Sequence, residues 1–169
     1  MRYGNVMGSR GSVIPFFHSI KDRGPLPITD ERMTRFMISL EQGVELVWHA
    51  FEDMAGGEIY VKKIPSMKVT DLALAIAPGA EFAFVGIRPG EKLHEQMIGE
   101  EDSYFTFEYR EHYKILPAID SAVGRETRVK DGRKVPEGFS YTSDKNSEWM
   151  TIDTLQAWIS ANQQKIGNI

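Results

Sequence analysis

The densest collection of groups able to hold an anion lies near the start of the chain, in Arg2-Tyr3-Gly4-Asn5-Val6-Met7-Gly8-Ser9-Arg10-Gly11-Ser12-Val13-Ile14-Pro15. Glycines let a backbone approach a ligand closely and adopt dihedrals closed to other residues. Exposed backbone N–H groups and arginine forks are what phosphate oxygens require. The same composition also suits an ordinary Gly/Ser loop leading into an apolar run. Neither the GxGxxG nor the GxxxxGK[ST] fingerprint is met, so no dinucleotide or triphosphate motif is spelled out here.

A second candidate is Arg88, followed by Pro89-Gly90-Glu91. It would follow a strand, where α/β folds gather ligands, while an ion pair with Glu91 is the plainer alternative. Arg32 and Arg35 could likewise face a phosphate or simply pair with Asp30 and Glu31. His49 has no second ligand four residues away, and His18, His94 and His112 form no metal-ligand pattern. The absence of cysteine excludes disulfides and thiolate metal sites.

Several elements must position these groups. Val13 to Ile20 reads as a helical turn or two. Ser39 and Gln42 have the capping-box spacing. Val44, Val47, Trp48, Phe51 and Met54 then recur at helical spacing, a stripe expected in the core, and Gly56-Gly57 stops the helix. Glu58 to Val61 reads as a strand, and Thr70 as the cap of a helix from Asp71 to Ala77. Phe82 to Ile87 reads as a buried strand delivering Arg88, with a helix expected from Glu91 to Ile98. Strand, charged loop and helix in succession is where α/β folds gather ligands. Tyr104–Tyr109 and Tyr113–Leu116 suggest a hairpin. Residues 121–138, with Arg125, Arg128, Lys130, Arg133 and Lys134, read as a solvated, flexible stretch. Thr151 or Asp153 starts a last helix, with Leu155, Trp158 and Ile159 on one face and a fraying tail beyond.

In order along the chain, five blocks resemble the inverting UDP-N-acetylglucosamine 4,6-dehydratases of the extended short-chain dehydrogenase/reductase superfamily. They are Arg2–Val6 with Gly8–Phe17, Leu26–Phe36, Lys63–Lys68, Gly86–Glu95, and Phe139–Ser143 with Asn146 and Trp149. The resemblance implies an α/β fold: the C-terminal part of an extended Rossmann-like, NAD(P)-binding nucleotide-sugar dehydratase. Residues 1–120 would hold the end of the parallel sheet and the UDP-sugar region, and 121–169 a polar loop and closing helix. It further implies that the cofactor-binding half is absent, so that the chain is the second half of a longer enzyme. UDP-N-acetylglucosamine would meet Asn5, Thr29 and Arg88, with Tyr141 closing the site. Val6, Met7, Gly8, Ser9 and Arg10 would line the nicotinamide side of NADP.

In that family NADP⁺ takes hydride from C4 of the sugar, water leaves across C5–C6, and hydride returns to C6. The product, a UDP-4-keto-6-deoxy-N-acetylhexosamine, would serve surface glycan or flagellin-sugar synthesis. The tyrosine–lysine pair for the oxidation, and the aspartate and lysine for the elimination, are expected ahead of residue 1. The chain would then be inactive alone, and the full-length enzyme a homo-oligomer. A non-catalytic binding or assembly module, or a related UDP-sugar epimerase, is the alternative.

Composition fits a soluble domain: 169 residues, 41% hydrophobic and 26% charged, are enough for a proper core. A net charge of −4 argues against a general nucleic-acid surface. No apolar run reaches the ~20 residues of a membrane span, and the N-terminus does not read as a signal peptide. A cytoplasmic location is therefore expected.

Overall fold

The computed structural model describes residues 1–118 and 124–163. Strand β1 (Asn5–Val6) leads through a turn into helix α1 (Val13–Ile20). Strands β2 (Leu26–Ile28) and β3 (Thr34–Ile38) follow, then helix α2 (Leu40–Asp53) and strands β4 (Ile59–Lys62) and β5 (Ser66–Lys68). Helix α3 (Val69–Ile76) precedes strands β6 (Phe82–Phe84) and β7 (Gln96–Ile98). A 3₁₀ segment (Glu100–Phe105) introduces the hairpin β8 (Thr106–Glu108) and β9 (His112–Ile115). Helix α4 (Arg125–Val129), strands β10 (Arg133–Lys134) and β11 (Tyr141–Thr142), and helix α5 (Ile152–Ala161) complete the order. Among the described residues no helix is long and apolar enough to cross a membrane.

Strand β3 organises the molecule. β1 runs parallel to it, with Asn5 opposite Met37 and Val6 opposite Ile38, and β5 runs antiparallel on its other side. Its side chains alternate across the strand, as the two-residue period of a strand requires. Phe36 and Ile38 enter one core with Val61, Ile64, Ile98, Tyr113 and Ile115. Met37 enters another with Ile14, Phe17, Leu26, Ile28, Leu72 and Leu155. A strand buried on both faces is the wall between two cores. Gly4, just ahead of β1, makes this possible: a Cβ there would lie 2.4 Å from the Cβ of Phe36. A separate antiparallel sheet runs β10-β8-β9-β4, and an isolated parallel bridge from Arg2 to Val61 ties it to the start of the chain.

The capping box of α2 forms as read: Gln42 N–H donates to Ser39 Oγ (3.2 Å) and Ser39 N–H to Gln42 Oε1 (3.0 Å). The expected hairpin forms too, with Thr106 opposite Ile115 and Glu108 opposite Tyr113, and Thr151 caps α5. Other expectations change. Helix α3 begins at Val69 with Lys68 as its cap, not at Thr70. The stripe Val44, Trp48, Phe51 and Met54 faces out, with Trp48 and Phe51 each 64% exposed. α2 instead buries Gly43, Leu46 and Ala50. Leu46 and Ala50 pack with Tyr60 of β4, and the larger stripe is left on another face.

Phe82–Ile87 is likewise not buried. β6 pairs with β2 only, and Phe84 is 58% exposed. The segment expected as a helix from Glu91 carries strand β7, whose Met97 and Ile98 are buried and whose partner is β11. The basic stretch 121–138 is also more ordered than its composition suggests, residues 121–123 lying outside the described ones. Arg128 is buried, donating to Gly56 O (2.7 Å) and Glu58 Oε1 (2.5 Å), and Lys130 reaches Asp53. Asp53 also accepts from Tyr60 (2.7 Å) and pairs with the buried Lys114. Burial alone would raise its carboxyl, but Lys114, Lys130 and Tyr60 hold it well below the carboxylate range. A carboxylate largely buried beneath α2 thus needs the cations that the sequence supplies from β9 and the end of α4.

His112 lies under this cluster, its ring stacked 4.6 Å from Tyr109 and edge-on to His49 at 4.6 Å, and among the described residues its Nε2 has no partner. Burial, then the charges of His49 and Lys114, push its pKa down to about 4. The unfolded chain binds this proton near pH 6.5, so between those values it holds more protons than the folded chain. Stability should therefore fall on acidification, by about 2 kcal/mol from pH 7 to pH 5 for this group alone. Urea melts at the two pH values should show that drop shrinking by a similar amount in His112→Phe. An unchanged drop would mean that His112 does not titrate in this way.

Candidate functional site

The loop after β1 is a run of tight turns. Met7 N–H donates to Ile38 O (2.8 Å), Ser9 N–H to Val6 O (3.2 Å), and Ser12 N–H to Ser9 O (3.0 Å). Gly8 and Gly11 both sit at φ +73°, where a Cβ would be strained. Met7 is buried as an anchor, while Ser9 and Arg10 are exposed and Val6 and Gly8 half-buried. Val6–Arg10 thus present backbone and polar side chains outward from a pinned base.

Asn5 precedes that loop, opposite Met37 in the sheet. Its amide nitrogen faces Glu95, donating to Oε1 (2.7 Å) and Oε2 (3.1 Å); the reverse orientation would set the amide oxygen against a carboxylate. Glu95 Oε2 also accepts from Phe36 N–H (3.1 Å), and Arg35 Nε lies 3.8 Å from Oε1. Burial raises the Glu95 carboxyl, opposed by the Phe36 N–H and by the charges of Arg35 and Lys92. The backbone of Glu95 is clamped by Ser143, whose Oγ accepts from Glu95 N–H (2.9 Å) and whose N–H donates to Glu95 O (2.8 Å). Thr34 Oγ1 joins Ser143 Oγ (2.7 Å) and His94 Nδ1 (2.8 Å) beneath it. His94 is therefore a packing residue. Sequence reasoning missed this network, because its members lie about sixty and more than a hundred residues apart along the chain.

Thr29 lies just past β2, in an open hollow of about 500 Å³ with Asp30, Arg32, Phe84 and Gly86. Arg32 pairs with Asp30 (2.8 Å), whose carboxyl it holds down at about 2. The parallel pairing of β2 and β6 is what sets Thr29 beside the loop carrying Arg88. Arg88 is exposed two residues beyond Gly86. The anticipated Arg88–Glu91 ion pair is not formed; Glu91 Oε2 instead accepts from the Arg88 backbone N–H (3.3 Å) and tightens the turn. Among the described residues the Arg88 guanidinium has no acidic partner. Arg35, by contrast, is turned inward, to Thr34 O and Leu93 O as well as Glu95.

Tyr141 requires correction. It is buried among Phe36, Ile64 and Tyr113, and its hydroxyl accepts from Ile64 N–H (3.0 Å) and donates to Ile64 O (3.0 Å). Burial pushes its pKa up to about 12. A hydroxyl committed on both sides inside a core does not close a ligand site. The spacing Tyr-x-x-x-Lys does occur once, at Tyr141 and Lys145, although the tyrosine–lysine pair is expected ahead of residue 1. On a helix four residues would put both groups on one face. Here Tyr141 is in a strand and Lys145 in the exposed turn after it, so the spacing brings no phenol and ammonium together.

Comparison with known proteins agrees with this arrangement. A family described as "Polysaccharide biosynthesis protein" matches residues 1–117. The inverting UDP-N-acetylglucosamine 4,6-dehydratase of Campylobacter jejuni serotype O:2 is 54% identical over 161 residues, covering 91% of this chain and 48% of that enzyme. A UDP-glucose 4-epimerase of Rickettsia massiliae is 43% identical over 119 residues, 68% of this chain and 35% of the epimerase. The X-ray structure of Pen from Bacillus thuringiensis superposes with a TM-score of 0.78 at 30% identity, over 97% of this chain and 48% of that one. The chain spans about half the length of the curated dehydratases it matches. The fold is part of an extended Rossmann-like α/β architecture, and the chain belongs to the polysaccharide biosynthesis protein family, among relatives that are nucleotide-sugar dehydratases and epimerases.

Proposed function

We propose that the chain supplies the sugar-nucleotide-binding half of an NADP-dependent, C5-inverting UDP-N-acetylglucosamine 4,6-dehydratase. The observation that carries this reading is Arg88, exposed and without an acidic partner among the described residues, two residues beyond Gly86, which lines the hollow with Thr29. A planar guanidinium in the loop after a strand matches two oxygens of a diphosphate. Thr29 offers a hydroxyl that both donates and accepts toward the same ligand. Asn5, held by Glu95, offers an amide oxygen toward the sugar nucleotide. Val6–Arg10 would lie along the nicotinamide, whose chemistry when bound is to take up and return hydride. Homo-oligomerisation and a cytoplasmic location belong to the same reading. The identity to 4-epimerases favours a second product within the family, an epimerised UDP-sugar.

Calorimetric titration with UDP tests the diphosphate assignment. A charge-assisted bidentate contact contributes roughly 1.5–3 kcal/mol. Arg88→Ala should therefore weaken UDP about ten- to a hundredfold, and Arg88→Lys, which keeps charge but loses the fork, by less. Glu91→Ala should loosen the turn and lower the melting temperature with little effect on UDP. Equal affinity in native chain and Arg88→Ala would remove Arg88 from the site.

The 169-residue chain incubated with UDP-N-acetylglucosamine and NADP⁺ should yield no 4-keto-6-deoxy sugar, because the hydroxyl of Tyr141 is locked in the core. Product above a no-protein control would contradict this, and its identity, dehydrated or epimerised, would choose between the two readings.

A further inference from the structure

We infer that Glu95 is a positioning residue for the sugar nucleotide, fixing which end of the Asn5 amide faces the ligand. The inference rests on the proposed function for the identity of the ligand, but its geometric basis is independent of it. Asn5 Nδ2 donates to both carboxylate oxygens of Glu95, one N–H shared between them, and Oδ1 is turned away from that acceptor. An asparagine free to rotate could present either a donor or an acceptor. With its nitrogen held on the Glu95 carboxylate, the amide turns its oxygen the other way. That oxygen suits a donor on the ligand, a sugar hydroxyl or N–H.

The carboxylate has little freedom of its own. Phe36 N–H and Arg35 approach it from β3, Lys92 adds positive charge, and Ser143 grips its backbone on both sides. A backbone N–H can only donate, so Phe36 dictates how any side chain at position 95 must turn. In Glu95→Gln the amide oxygen must stay on Phe36 N–H, which swings the new NH₂ toward Asn5. Two facing NH₂ groups are unfavourable, and Asn5 must invert, offering the ligand a donor where it had offered an acceptor. The substitution keeps size and shape, so it separates orientation from packing. Asn5→Asp combined with Glu95→Gln should undo the inversion, since a carboxylate at position 5 accepts from the new amide and returns an oxygen to the ligand side.

Two measurements on the 169-residue chain decide the matter. The side-chain NH₂ resonances of Asn5 are assigned by their loss in Asn5→Asp. They should be shifted and slow to exchange in the native chain, and move to a solvent-exposed position in Glu95→Gln. Titration with UDP-N-acetylglucosamine should then show affinity falling about tenfold in Glu95→Gln, with unchanged affinity for UDP alone, and partial recovery in the double variant. Asn5 protons that exchange equally fast in the native chain and Glu95→Gln would overturn the inference. So would equal sugar-nucleotide affinity in those two proteins while Asn5→Ala still weakens binding. If the native chain binds no UDP-N-acetylglucosamine, the proposed function fails, and the Asn5 resonances still report whether Glu95 orients the amide.

Discussion

A single half-buried carboxylate joins stretches of this molecule that lie far apart in sequence. Glu95 accepts from the side chain of Asn5 at the start of β1 and from the backbone of Phe36 in β3, with Arg35 beside it. Its backbone is held by Ser143, just past β11. Withdrawing a carboxylate from water is costly unless its acceptor positions are used, and here the partners come from separate stretches of chain. The close pass of Gly4 over Phe36 sets the distance at which that arrangement is possible. Remove the carboxylate and β1 and β3 lose their common anchor, even though their apolar cores and the Ser143 grip on the Glu95 backbone remain.

The rest of the fold follows from β3 being buried on both faces. One core, under α1, α3 and α5, supports the hollow containing Thr29. The other, under β4, β9 and Tyr141, supports the sheet edge and the cluster around Asp53. The exposed positions on α2 and at Phe84 show where apolar surface remains outside both cores. That surface is large for so small a chain, and patches of this kind mark places where another surface packs.

How much of this was legible in the sequence depends on the range over which each signal acts. The capping box of α2, the hairpin of β8 and β9, and the cap of α5 are local, and spacing alone reveals them. Burial is not local, because the α2 stripe is periodic whichever face meets the sheet; here the face with Leu46 and Ala50 packs on Tyr60 of β4. The strand at β7 reads as a helix, since a Pro-Gly turn followed by charged residues suits either until β11 provides a partner. Arg128 reads as solvated charge, and the buried Glu58 carboxylate and the Gly56 carbonyl, about seventy residues away, explain its position. Arg88 and Thr29 were placed by resemblance, and the structure adds that neighbouring strands bring their loops together. The part Glu95 plays could not be read at all, because it exists only once β1 and β3 are paired.

The central claim is that the ligand site lies between Asn5, Thr29 and Arg88. The alternative is the hollow of about 420 Å³ under α2, which His49, Tyr109 and His112 line. Diffraction from crystals of the chain grown with UDP-N-acetylglucosamine tests this most directly. The account requires diphosphate density on the Arg88 guanidinium, with the sugar near Asn5 Oδ1 and Thr29. Ordered nucleotide density beside His49 and His112, with Arg88 left in solvent, would contradict it.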